Sequence, residues 1–376
     1  MSETYDVIIV GLGAMGSAAA CELAQRGLKV LGIDQFTPPH SLGSSHGETR
    51  IIREAYFEHP AYVPLVQRAY ERWAELEGET GEQLFLQTGG LLMGPAEGVP
   101  ISGSIEAAKT HQLPFEKLTA DGIRNRFPLF CPDDGMIGVY EPRAGGLFVE
   151  RCIEAHLRLA REAGAELKFE EQVIDWSAEG EGVEVESGNG RYRSGRLILS
   201  TGSWMGALAA ELSLPLEIER QVLHWFEPVG DLDDFSPERC PFFFFEYGKE
   251  KYFYGFPLVG GALKIAKHHQ GELTTPDEIR REVSEDEVEE MRSLLQDFIP
   301  KANGRLRESA VCMYTNTPDD HFIIDHHPEH PQVILASPCS GHGFKFSSVI
   351  GELLADMATG RTPPLDLSLF RLERFL

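Results

Sequence analysis

Two short segments near the end of the chain hold residue types from which a ligand site can be built. Ala310 to Asp325 reads AVCMYTNTPDDHFIID, and fifteen residues on, Ser340 to Phe346 reads SGHGFKF. Cys312 reads as a lone thiol in a polar turn followed by a short apolar strand. Gly341 and Gly343, flanking His342, allow the backbone to approach a flat ligand, and the helix expected to follow offers its N-terminus to anionic groups. Lys345 adds a full positive charge at that place. The same residues also read as a glycine-rich turn and a buried structural cysteine.

Two further segments carry cations. Gly43 to Arg53 (GSSHGETRIIR) ends in Arg50 and Arg53, three apart, which share a face on the helix expected to start there. They either pair with surface carboxylates or serve a ligand, a guanidinium being the side chain that binds a carboxylate in bidentate fashion. In Ala262 to His268 (ALKIAKH), Lys264 alternates with Leu263 and Ile265 and points to the opposite face from them. Taken alone, that pattern favours an exposed edge lysine over one buried for a purpose.

These residues need a framework, and its first unit is complete in the first 34 residues. Tyr5 to Val10 (YDVIIV) suits a central parallel strand. Gly11, Gly13 and Gly16 follow in GLGAMG, then a helix expected over Ser17 to Arg26, then a strand Lys29 to Ile33 ending at Asp34. Gly11 permits the tight turn, Gly13 lets a pyrophosphate approach the backbone, Gly16 lets helix and strand pack, and Asp34 is placed for a ribose hydroxyl. Dinucleotide binding follows, with FAD and NAD both open. Arg196 to Trp204 (RLILSTGSW), an apolar strand ending in a Thr201-Gly202 turn, resembles the second fingerprint of flavoproteins. A helix over Val149 to Gly164, a strand over Glu166 to Phe169 and a hairpin over Gly182 to Tyr192 lead into it.

Between these blocks the composition changes. Leu84 to Met93, Met136 to Tyr140, Pro241 to Tyr247 (PFFFFEY) and Lys251 to Phe256 (KYFYGF) read as strands of a different sheet, and Glu282 to Phe298 as an acidic amphipathic helix. The expected fold class is α/β, a Rossmann-like FAD-binding domain of the glutathione-reductase type plus an inserted α+β domain with a mixed, largely antiparallel sheet. The expected division is 1–83, 145–215 and 310–376 for the cofactor domain, with 84–144 and 216–309 for the substrate domain.

The chain has 376 residues, with 34 basic against 59 acidic side chains and a net charge of −25. That balance argues against nucleic acid or an anionic membrane surface as partner. Six cysteines are scattered without metal-ligand spacing, and no metal site is expected; Cys21 and Cys152 read as buried thiols. No export signal and no membrane-length apolar run is visible, so the cytoplasm is the expected compartment.

The chain resembles the monomeric sarcosine oxidase and N-methyltryptophan oxidase family of flavoprotein amine oxidases over essentially its full length. The likeness lies in GLGAMG, PPHSLGSSHGETRIIR, YFYGFP, ALKIAKH, CMYTNTPDDHFIID and SGHGFKFSS. The resemblance implies covalent FAD, joined from its 8α-methyl carbon to the sulfur of Cys312. It implies that Arg53 and Lys345 hold the substrate carboxylate, that Lys264 activates oxygen near flavin N5, and that His268 and Tyr254 line the substrate cavity. His46 and Arg50 match positions beside the flavin, and Gly341 and His342 belong to its binding loop. The sequence departs from the family at Pro338 and Cys339, at Ser45, and at Glu54, which is expected to neutralise part of the Arg53 charge.

The expected activity is oxidation of N-methyl (secondary) amino acids by a monomer using O2, giving the primary amine, formaldehyde and hydrogen peroxide. Its rivals are a dehydrogenase that passes electrons to another acceptor and a flavin-fold binding protein without turnover.

Overall fold

The computed structural model describes residues 4–375, and three sheets organise them. The eight-stranded sheet grows from the apolar run Thr4–Val10, which pairs in parallel with Val30–Ile33 on one side and Gly190–Leu199 on the other. Val30–Ile33 pairs in parallel with Glu166–Lys168, and Gly190–Leu199 with Val333–Ser337. Strands covered on both faces read as continuous apolar runs, as VIIV and LIL do here. The hairpin Val173–Glu179, Gly182–Ser187 closes one edge, and Ile323–His326 pairs antiparallel with Val333–Ser337.

Three helices cover this sheet. Ala14–Gln25 packs against Val149–Glu162 and against Ser347–Ala358. The contact is close because Ala18, Ala19 and Ala20 are fully buried and Gly351 faces Ala18, where an added Cβ would lie 2.7 Å from the Ala18 backbone.

A nine-stranded sheet stands beside it. Its path runs Leu273–Thr274, Glu217–Phe226, Leu263–His268, Lys251–Gly255, Phe242–Gly248, Gly90–Pro95, Met136–Glu141, Glu116–Thr119, and Leu306–Asn316 also pairs with Glu217–Phe226. Only the pairing of Phe242–Gly248 with Gly90–Pro95 is parallel. One face carries Phe243, Phe245 and Phe253, all fully buried, with Phe245 and Phe253 stacked at 4.9 Å. Burying each such ring is worth about 2 kcal/mol. The helix Glu285–Phe298 covers that face with Met291, Leu294, Leu295 and Phe298, and starts with a capping box between Ser284 and Glu287.

The third sheet is small, ordered Thr49–Ile52, Gly145–Phe148, Phe85–Gln87. Here the structure corrects the sequence reading. Arg50 lies on a strand, not a helix, because Thr49–Ile52 pairs antiparallel with a segment nearly a hundred residues away. Arg50 and Arg53 therefore do not share a helical face. Cys312 likewise sits inside an eleven-residue strand, Leu306–Asn316, opposite Gln221. Residues 310–316, expected with the cofactor segments, thus belong to the nine-stranded sheet. No helix among the described residues is long and apolar enough to cross a membrane.

Candidate active site

A cavity of about 470 Å³ runs between the eight-stranded and nine-stranded sheets. Its first end is lined by Gly11, Gly13, Asp34, Phe36 and His40. The three glycines have different reasons to be there. Gly11 has φ +88°, and a side chain would strike the Ser200 carbonyl at 2.6 Å. At Gly16 a Cβ would lie 1.8 Å from the Gly11 carbonyl oxygen, so strand and helix touch directly. Gly13 has open space, its nearest neighbour being Ser45 Oγ at 3.7 Å, at the start of the helix Ala14–Gln25. That space at a helix N-terminus fits a phosphate.

Asp34 is held in place by backbone. Its Oδ2 accepts from Leu12 N–H at 2.7 Å and its Oδ1 from Phe36 N–H at 2.8 Å. Burial raises its carboxyl above the ordinary range despite those donors. Thr201 and Gly202 also line the cavity, and the Thr201 hydroxyl is buried with no partner. An elongated cavity, an open glycine cradle and an unpaired hydroxyl fit a dinucleotide. The loop that closes over this end, from Pro38 to Ser45, is tied down by Arg281, which donates to the carbonyls of Ser41, Leu42 and Val311.

Arg50 belongs to the cavity wall, and His46, Lys264 and Cys312 stand near it without reaching the lining. Arg50 lines the cavity and donates to the carbonyls of Thr49 (2.9 Å) and Ser44 (3.0 Å), with its Nη2 3.5 Å from Cys312 Sγ. Cys312 is buried one step behind the lining, while its neighbours Met313, Tyr314 and Thr315 reach the cavity. His46 is buried and its Nε2 has no partner; burial, with Arg50 and Lys264 nearby, brings its pKa down to about 4. Lys264, for which exposure was the favoured reading, is only 2% exposed. Its ammonium donates to the Thr49 carbonyl at 2.6 Å and lies over the Phe256 ring. Burial first, then Arg50, holds its pKa well below the usual lysine range.

The far end gathers Arg53, Glu58, Lys345, His268, Tyr254 and Tyr314. Arg53 is buried, and its Nη2 donates to both Glu58 oxygens at 2.9 and 2.7 Å. Burial would raise the Glu58 carboxyl, but Arg53, His342 and Lys345 hold it below the ordinary range. Lys345 donates to the His342 carbonyl (2.6 Å) and to Tyr56 OH (3.3 Å). Burial and the Arg53 charge lower its pKa to about 7. His268 shares a hydrogen bond with Tyr314 at 3.1 Å and is held well below its usual pKa by burial.

Several expectations need correcting. Glu54 does not neutralise Arg53; it is buried and pairs with Arg143 at 3.0 Å, leaving Glu58 as the counter-ion. Gly341 and Gly343 line the cavity, but the space a side chain would take is filled by the Tyr314 ring and the Pro338 carbonyl. Their glycines serve the turn itself. The His342 imidazole is used within the protein, sharing a hydrogen bond with Tyr56 (2.6 Å) and another with the Asp320 carbonyl (2.9 Å). Pro338 and Cys339 do line the cavity. Sequence reasoning missed Glu58, Tyr56, Phe57 and Tyr314; a carboxylate five residues after Arg53, behind two aromatics, was the available signal. No group of metal-ligating side chains occurs among the described residues.

A dinucleotide cradle at the strand ends of a mainly parallel sheet, sharing one cavity with the buried cations Arg53 and Lys345, defines a flavin-dependent oxidoreductase. The family model described as FAD dependent oxidoreductase matches residues 6–357, and the chain belongs to that family. It is 43% identical over 374 residues to monomeric sarcosine oxidase of Streptomyces avermitilis, covering 98% of this chain and 97% of that one. To N-methyl-L-tryptophan oxidase of Salmonella arizonae it is 41% identical over 374 residues, covering 99% of each. Among solved structures, NikD, an unusual amino acid oxidase, aligns with a TM-score of 0.86 at 23% identity over 98% of both chains. Glycine oxidase from Geobacillus kaustophilus aligns with a TM-score of 0.84 at 21% identity over the whole of both.

Proposed function

We propose that the protein is a monomeric oxidase of N-methyl amino acids, converting substrate, O2 and water to the primary amino acid, formaldehyde and hydrogen peroxide. One observation carries the reading: two buried cations, Arg53 and Lys345, converge at the end of a dinucleotide cavity beside an aromatic wall. FAD, when bound, supplies the redox chemistry of the C–N bond.

The chain supplies position and field. Arg53 and Lys345 take the substrate carboxylate, which replaces Glu58 as the partner of Arg53 and fixes the N-methyl group relative to the flavin. The apolar surroundings of Tyr254, His268 and Tyr314 favour the neutral amine, the form whose lone pair assists oxidation. Gly11, Gly13 and Asp34, together with Thr201 and Gly202, would hold the dinucleotide. Arg50, with His46 and Lys264 close by, would lie on the side of the reactive ring, and Lys264 would give the charge that favours electron transfer to oxygen. Cys312 would carry the covalent bond to the 8α-methyl carbon; its sulfur stands beside Arg50, one of the cavity-lining cations.

The test is a panel of sarcosine, N-methyl-L-tryptophan and pipecolate, following flavin bleaching, peroxide and formaldehyde together. Equal yields of peroxide and formaldehyde from the two N-methyl substrates support the reading; pipecolate, which has no N-methyl group to lose, should give peroxide alone. Bleaching without peroxide would assign a dehydrogenase, and no bleaching would leave a binding protein. Acid precipitation that frees all the flavin would refute the bond to Cys312.

A further inference from the structure

Beside the carboxylate clamp stands an aromatic residue that nothing so far has used. Phe57 lines the cavity between Arg53 and Phe244. The Arg53 guanidinium carbon lies 4.2 Å from the Phe57 ring centroid. On its other side the ring meets Phe244 at 5.7 Å, and Phe244 meets His268 at 5.6 Å. His268 in turn meets Tyr314 at 5.6 Å and Tyr254 at 6.3 Å. The rings therefore form an unbroken wall across the end of the cavity, starting on the clamp arginine itself.

That wall cannot retreat easily. Gly103, on the helix Val99–Thr110, approaches so closely that an added Cβ would lie 2.6 Å from the Phe57 carbonyl oxygen. Ser104 of the same helix donates to the Ala55 carbonyl at 3.1 Å, as does Arg53 at 2.7 Å. The buried Glu141 carboxylate accepts from the backbone N–H groups of Glu54 (2.6 Å) and Ala55 (2.8 Å). Phe244 is fixed inside its sheet, opposite Tyr254 on one side and Leu92 on the other.

We propose that Phe57 is a specificity-determining residue, limiting the α-substituent of the substrate to hydrogen or methyl. The proposal rests on the clamp reading above. A carboxylate between Arg53 and Lys345 puts the α-carbon one bond away, and the side next to Arg53 is already filled by the Phe57 ring. N-methylglycine fits there and an indole does not.

The experiment titrates the flavoprotein with acetate and with indole-3-acetate, read by the flavin absorbance spectrum, and runs kcat/KM for sarcosine and N-methyl-L-tryptophan alongside. Wild type should prefer the small ligand by about 30-fold or more, and Phe57→Ala should narrow that ratio about tenfold, the scale on which pocket volume discriminates. Phe57→Leu, which keeps most of the volume, should stay within about threefold of wild type. Equal binding of both acids by wild type would overturn the proposal, as would an unchanged ratio in Phe57→Ala. Because binding needs no turnover, failure of both amines to reduce the flavin would sink the oxidase reading while the ligand ratio still judged Phe57.

Discussion

Glu58 grips Arg53 through both carboxylate oxygens, at 2.9 and 2.7 Å, on the guanidinium proposed to take the substrate carboxylate. On that proposal Glu58 is an internal stand-in for the ligand. Glu58→Gln removes the competing charge while keeping the shape. Acetate should then bind about tenfold tighter, the scale of one charge-assisted hydrogen bond. Weaker binding on titration would mean that Glu58 positions Arg53 rather than competes for it.

Lys345 gives the clamp a pH limit. Its pKa is lowered from 10.5 to about 7 by burial and Arg53, so the free protein holds this proton below that pH and loses it above. Anion affinity should be flat at acid pH and fall about tenfold per pH unit above the break, and Lys345→Met should abolish the break. The same shift acts on folding. Between the two values the unfolded chain binds more protons, so this residue's cost to stability is relieved as pH rises.

Lys264 reaches the Thr49 carbonyl from a site where its charge is disfavoured. A negative group nearby reverses that balance, and a reduced flavin is such a group. Lys264→Met should slow reoxidation by O2 about 100-fold or more while changing reduction by substrate far less. Stopped-flow traces of the two half-reactions separate them, and the opposite ordering would refute the role.

The two glycines of the cradle should respond differently to one methyl group. Gly16→Ala drives a Cβ into the Gly11 carbonyl and should cost about 3 kcal/mol or more, visible as a lower Tm. Gly13→Ala has room in the protein and should leave the flavin-free protein's melt nearly unchanged, yet reduce flavin incorporation. Equal losses of Tm would show that Gly13 is structural.

What the sequence revealed was local, and what it hid was long-range. GLGAMG and Asp34 were legible because a turn, a helix and a strand within 34 residues determine each other. Arg50 was misread because its strand exists only through pairing with Gly145–Phe148. Lys264 looked exposed because its buried acceptor, the Thr49 carbonyl, lies 215 residues away. Glu54 drew attention as the neighbour of Arg53, whereas the ion pair depends on how the chain turns through Tyr56 and Phe57. The position of Cys312 depended on the length of a strand whose partner, Glu217–Phe226, no local pattern reveals.

That strand has a mechanical consequence. Gly11, Gly13 and Asp34 lie just past the ends of strands in one sheet, and Cys312 lies within the other. All six cysteines are free thiols, so no disulfide staples the two halves. A flavin gripped by the first sheet and bonded to the second would be the crosslink instead, a suture made of cofactor. The two halves could then no longer part independently, and heat would have to melt them in a single step.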